Sequence, residues 1–340
     1  MGIYFDPDNV MFQRAVKSEI YVDKTELMAV TNKLLGTESA FLCVSRPRRF
    51  GKSMALNMLC AYYSRGCDSR ELFSGYRIAG KMGFGEHLNK YHVIQLNMRD
   101  YLDRADTIED MIEKIRKKLF AEADRELTGI EWFDSSDFLE IFNDIYSQTK
   151  TPFVFLIDEW DAVFRVKAWG SEEQRRYLDF LRNILKDKPY VALAYMTGIL
   201  PIKKYGEHSA LNMFTEYSMT NQRELAEFTG FTEDEVKDLC GQYEMSFDET
   251  KRWYDGYFIR GMEIYNPRSV VMSMTGHDYD SYWTKAETYE ALKIYIEMDF
   301  DGLRDRVIRM IAGEKVPVNT EKFTNDMKTF ASADDVLTLL

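Results

Sequence analysis

The chain has 340 residues, 45% of them hydrophobic and 14% aromatic, and a formal net charge of −12. So apolar a composition excludes a disordered chain, and the length exceeds what one core usually organises, so a main domain with a smaller one attached is expected. The negative charge repels a polyphosphate backbone and weighs against broad non-specific nucleic-acid binding, leaving room only for a local basic patch.

No apolar run approaches the roughly 20 residues that span a bilayer. Met1 to Phe12 lacks a basic stretch followed by an apolar one, so no signal peptide is visible. Cys43, Cys60, Cys67 and Cys240 show no close pairing, which fits reduced thiols and a cytoplasmic location. His87, His92, His208 and His277 are scattered, which argues against a His/Cys metal site.

In chain order, Ala40 to Val44 reads as a buried strand feeding a basic turn, and Lys52 to Tyr63 carries apolar residues at helical spacing. Val93 to Leu96 reads as a strand ending in the polar stretch Asn97 to Asp100. Thr107 to Leu127 and Asp137 to Tyr146 read as helices. Phe153 to Ile157 is an apolar strand that stops at two acids. A helix capped by Ser171 is expected through Leu185, then a strand from Val191 to Met196 and a fifth from Phe214 to Met219. This alternation predicts an α/β fold with a mostly parallel, doubly wound sheet and helices on both faces.

After about Gln222 the pattern changes. Glu224 to Phe228 and Glu233 to Tyr243 read as helices, followed by the aromatic-rich Trp253 to Tyr265, a turn at Asn266-Pro267, and more helix after Lys285. The expected domains are residues 1–220, the core with its lead-in, and 221–340, a mainly helical appendage. The chain stops at Leu339-Leu340 inside an apolar helical pattern, which suggests a fragment of a longer protein.

Arg46-Pro47-Arg48-Arg49-Phe50-Gly51-Lys52-Ser53 matches the phosphate-loop pattern G-x-x-x-x-G-K-[ST] at every defined place except the first, where Arg46 replaces glycine. The chemistry survives that change. Gly51 lets backbone amides approach phosphates, and the helix that follows points its N-terminus at the anion. Lys52 reaches the terminal phosphates of ATP and the Ser53 hydroxyl ligates Mg²⁺. Nucleotide contacts are expected from Arg48 through Phe50, Gly51 and Ser53 to Met54. Arg48 and Arg49 have two readings: phosphate neutralisation, or pairing with acids elsewhere. A chance Gly-Lys-Ser in a solvated basic turn is the alternative, and the flanking strand and helix oppose it.

The acids Asp158 and Glu159 follow a full hydrophobic strand. Such a place suits an aspartate on the magnesium side and a glutamate that polarises the attacking water. Asp161 either orients Arg48 or Arg49 or caps the next turn. Thr197, at a strand end, is a candidate sensor of the γ-phosphate or of water. No arginine finger is assigned, and Arg223 is the residue to test first. Guanine recognition normally uses N-K-x-D after a later strand, which is missing, so adenine is chosen by elimination.

Together these segments resemble the bacterial and archaeal AAA-ATPase-like family of predicted P-loop ATPases. The resemblance rests on Tyr21-Val22-Asp23-Lys24-Thr25, the loop Arg46 to Ser53, Ile157-Asp158-Glu159-Trp160-Asp161 and Thr197-Gly198-Ile199. It continues through Phe231 to Val236, Trp253-Tyr254-Asp255-Gly256-Tyr257 and Tyr265-Asn266-Pro267, in the family's order. In that family the first loop glycine is usually absent too. The resemblance implies a P-loop NTPase three-layer sandwich. Members often continue into a restriction-endonuclease-like nuclease domain, but no nuclease activity is assigned to this chain.

The leading expectation is an ATP-hydrolysing module that acts on a protein partner or C-terminal domain. The competing ones are a nucleotide-gated scaffold with little turnover and a small-molecule kinase. A kinase needs an arginine-rich lid, which the second half lacks.

Overall fold

A computed structural model describes residues 2–166, 169–200, 202, 210–218, 223–259, 261–282, 300–311, 316–318, 332–334 and 337. The chain divides into two compact units, Met1–Thr229 and Gly230–Leu340.

The first unit starts with α1 (Val10–Val16) and α2 (Leu27–Leu34), then β1 (Phe41–Ser45) and α3 (Lys52–Tyr63). Next come the short α4 (Arg70–Phe73) and α5 (Phe84–His87), β2 (His92–Asn97), α6 (Met98–Leu102), α7 (Ile108–Glu126) and α8 (Phe138–Thr149). The unit continues with β3 (Phe153–Asp158), α9 (Ala162–Arg165), α10 (Ser171–Leu185), β4 (Val191–Gly198) and β5 (Thr215–Tyr217). The strands form one sheet in the order β2-β3-β4-β1-β5, and every neighbouring pair is parallel.

All six residues of β3 are buried, which a strand achieves only with both faces covered. Alternate side chains divide the work. Val154 and Leu156 join the cluster built by Leu56, Leu59 and Tyr63 of α3. Phe153 and Phe155 turn the other way, with ring centroids 5.3 and 5.4 Å from Phe142 of α8. The first unit is therefore an α/β sandwich, as the alternation of periods predicts.

The N-terminal segment covers the β2 edge. Asp6 N donates to Val93 O at 2.8 Å and Gln95 N to Tyr4 O at 2.9 Å, while the buried His92 Nδ1 lies 2.7 Å from Asp6 Oδ2. Backbone groups that an edge would leave unpaired are thereby satisfied. Tyr21 to Thr25 acts as a clasp: Asp23 accepts from Arg77 N and Thr25 from Ile78 N, and Lys24 donates to Glu227 O.

Several local expectations need correction. Ser171 is the first helical residue of α10, not its cap; Gly170 takes the cap position without a side-chain bond. Phe214 precedes the short β5, and Met219 lies outside the described residues. Arg223 to Phe228 is a 3₁₀ turn.

In the second unit, Phe231–Thr232 (β6), Asp255–Ile259 (β7) and Met262–Tyr265 (β8) form an antiparallel sheet ordered β6-β8-β7. The unit's helices are α11 (Glu233–Gln242), α12 (Phe247–Tyr254), α13 (Pro267–Gly276) and a further one, Leu303–Ile311; α11 and α12 pack next to the sheet. Thr232 and Glu235 make a reciprocal capping box at the start of α11. Asn266-Pro267 opens α13: Asn266 Oδ1 accepts from the amides of Arg268 and Ser269, and proline sits where no helical N–H is needed. The aromatic-rich segment is the end of α12, Trp253-Tyr254, followed by the β7–β8 hairpin. Its Tyr265 is core, whereas Phe258 is 71% exposed. The helix expected after Lys285 falls largely on residues 283–299, outside the described part.

Candidate functional site

Parallel pairing brings the C-terminal ends of β1, β3 and β4 to one edge of the sheet. Val44 is in register with Thr197 and Ile157 with Met196, so β4 separates the loop strand from the acidic strand. Loop, acids and threonine meet there.

Arg46 is 1% exposed. Its Nε donates to Thr229 Oγ1 at 2.8 Å. Its Nη1 donates to Ser45 O and Tyr217 O at 2.8 and 2.7 Å. The residue that replaces the pattern's glycine thus ties the loop to β1 and β5. Burial pushes its pKa down to about 10, which leaves it a cation at neutral pH.

Gly51 caps α3 at φ 84°, a left-handed conformation that glycine adopts without cost. Directly after it, the Lys52 ammonium donates to Arg46 O and Pro47 O at 2.9 and 2.8 Å, so it lies folded under its own loop. Burial lowers the Lys52 pKa to about 8 against the opposing pull of Asp158 and Asp161. Ser53 Oγ donates to Asp158 Oδ2 at 2.5 Å. The other oxygen, Oδ1, accepts from Thr197 Oγ1 and, at 2.9 Å, from Glu159 N. Asp158 is held from three sides.

Around this cluster the remaining loop residues differ. Phe50 is buried, Arg48 half-buried, and Arg49 exposed with φ 70°, while Met54 points outward at 41% exposure. The side chain of Arg223 lies outside the described residues.

Beyond Asp158 the structure departs from expectation. Asp161 makes no side-chain cap to α9, and its partner is Arg165 rather than Arg48 or Arg49. Arg165 Nε donates to Asp161 Oδ2 at 2.8 Å, and Nη2 to Asp161 Oδ1 at 3.2 Å and to Glu159 Oε2 at 2.9 Å. Asp161 Oδ2 also accepts from the amides of Ile199 and Leu200 at 3.0 and 2.8 Å. Arg165 is not among the residues expected from the sequence, although its i,i+4 spacing from Asp161 on a helical stretch is a signal for the pair. Gly198 is fixed by the same corner: a Cβ there would lie 2.7 Å from Trp160 Nε1 and 2.8 Å from Asp161 Oδ1.

Among the described residues, no group of three or more His, Cys, Asp and Glu side chains could hold a metal by itself. Ser53 and Asp158 offer hard oxygens instead. That set suits Mg²⁺, which shares its shell with phosphate oxygens and water. Among the described residues no helix is long and apolar enough to cross a membrane.

A parallel α/β sheet whose loop strand runs through Gly-Lys-Ser into a helix, with Asp-Glu ending a second strand beyond one inserted neighbour, places the chain in the P-loop NTPase class of folds. It belongs to the AAA-ATPase-like family described as "Predicted AAA-ATPase", whose sequence model matches residues 12–206. The chain is also 25% identical over 283 residues to "Uncharacterized protein in vnfD 5'region" of Azotobacter chroococcum mcd 1. That match covers 79% of this chain and 51% of the relative, so the chain spans about half the length of the curated protein it resembles.

Proposed function

We propose that the chain is an ATP-hydrolysing module whose turnover drives or gates a partner protein or an attached domain. The observation that carries this reading is the meeting of Lys52, Ser53, Asp158 and Glu159 at one sheet edge. Lys52, released from the loop carbonyls, neutralises the terminal phosphates, while the loop amides and the N-terminal end of α3 receive the phosphate oxygens. Ser53 and Asp158 would hold Mg²⁺, which when bound neutralises phosphate charge. Glu159 accepts the proton of the attacking water, and Thr197 keeps Asp158 oriented. Adenine is favoured by family membership and by the missing N-K-x-D.

A scaffold that retains nucleotide without turnover is the competing reading, because Glu159 is engaged by Arg165. Replacing Glu159 with glutamine separates the two. Glutamine keeps the shape but loses the charge and most of the basicity, so ATP binding should survive while single-turnover hydrolysis falls about a hundredfold. Equal rates for wild type and Glu159→Gln would remove Glu159 as the base. No hydrolysis by either protein, at full length and with saturating ATP, would favour the scaffold.

A further inference from the structure

We infer that Arg165 is a positioning residue for the reaction, fixing the carboxylate of Glu159; the inference rests on the ATPase reading above. Arg165 is held too firmly to be a mobile latch. Its side chain is 5% exposed, and the Asp161 side chain it grips is 0% exposed. The fork is two-pronged, with Nε and Nη2 each bonded to one oxygen of Asp161, a geometry that only a guanidinium supplies. Asp161 is anchored in turn by the amides of Ile199 and Leu200, just beyond Thr197 at the end of β4.

From that fixed base Nη2 also reaches Glu159, touching only Oε2, at 2.9 Å. The carboxylate is thereby oriented while Oε1 remains available to a water. Glu159 needs such support. Its backbone takes φ 50°, a left-handed conformation uncommon for a residue with a side chain, and its side chain is 31% exposed. Left alone, an exposed glutamate samples several rotamers, and a base misplaced by about 1 Å loses much of its effect. The chain Ile199/Leu200–Asp161–Arg165–Glu159 therefore links the end of β4 to the proposed base.

The test uses Arg165→Lys. Lysine keeps a cation opposite the buried Asp161, so the fold is preserved, but a single ammonium cannot grip Asp161 at two points and reach Glu159 as well. Single-turnover hydrolysis and ATP affinity are measured for wild type, Arg165→Lys, Glu159→Gln and the double variant. The expected result is a rate about tenfold lower in Arg165→Lys at unchanged affinity, with no further loss when the change is added to Glu159→Gln. The pair Asp161→Asn/Arg165→Gln, which removes both buried charges together, gives the same comparison if Arg165→Lys does not fold.

Losses that multiply in the double variant would mean that Arg165 acts independently of Glu159. That would overturn the inference and leave the ATPase reading intact. A rate raised by Arg165→Lys would make the contact a restraint, and an affinity loss equal to the rate loss would make Arg165 a binding residue; either overturns it. If Glu159→Gln hydrolyses ATP as fast as wild type, Glu159 is not the base and this inference falls while the ATPase reading stands; if neither protein hydrolyses ATP, the ATPase reading fails first and this inference falls with it.

Discussion

Ser53 donates its hydroxyl to Asp158 at 2.5 Å across 105 positions of sequence, joining the first turn of α3 to the tip of β3. A hydroxyl and a carboxylate are brought together this way, with Asp158 accepting from Thr197 and from an amide as well, and this pre-oriented oxygen pair is the proposed Mg²⁺ site. Asp158→Asn keeps the shape and removes the charge. ATP affinity in Mg²⁺ should fall by about tenfold or more, and the difference between Mg²⁺ and chelator should shrink. Titrations of both proteins in each condition measure it. Wild-type affinity indifferent to chelator would count against the site.

Lys52 gives a pH prediction. Without nucleotide its pKa is lowered by burial to about 8, whereas beside a polyphosphate the charged form is favoured. Binding above that pH must therefore take up a proton. Apparent ATP affinity should be flat below about pH 8 and drop about tenfold per pH unit above it. Calorimetry at pH near 9 in two buffers of different ionisation heat would show the uptake, and Lys52→Arg, which stays charged, would abolish it. The linkage also runs the other way. The unfolded chain holds this proton more tightly, so the nucleotide-free protein should gain stability as pH rises from about 8 towards 10.5.

Restoring the pattern's glycine should harm the protein. Arg46→Gly would strip Ser45 O, Tyr217 O and Thr229 Oγ1 of their donor and leave a buried void. A loss of about 3 kcal/mol or more is expected by urea unfolding. Stability equal to wild type would show that the Arg46 contacts contribute nothing.

Gly198→Ala places a methyl 2.7 Å from Trp160 Nε1, and Trp160, 3% exposed, has no room to give way. The expected cost is about 1–3 kcal/mol, together with slower hydrolysis, because Asp161 and hence Arg165 must shift. Thermal melting alongside the hydrolysis assay checks both parts.

The sequence by itself determined the parallel sheet of the first unit and the segments that supply the candidate site. Each strand is a short apolar run, and α3, α7 and α8 carry their helical period and their ends in the local sequence, with Thr107 and Asp137 bonding the first free amides of α7 and α8. Gly-Lys-Ser after one strand and Asp-Glu after another are legible because backbone conformation and strand ends are local properties. Three matters were decided only by the fold. Arg46 looks like one more basic loop residue until Tyr217 and Thr229 arrive from 171 and 183 positions away. Asp161 had cations on both sides in sequence and took Arg165, because the turn after β3 sets the two side chains one helical step apart over the amides of Ile199 and Leu200. The sheet of the second unit escaped because β6 has two residues and β7 follows α12 without a break, so neither shows a period long enough to read. Pairing of distant segments leaves no local pattern; it exists only once the chain has closed on itself.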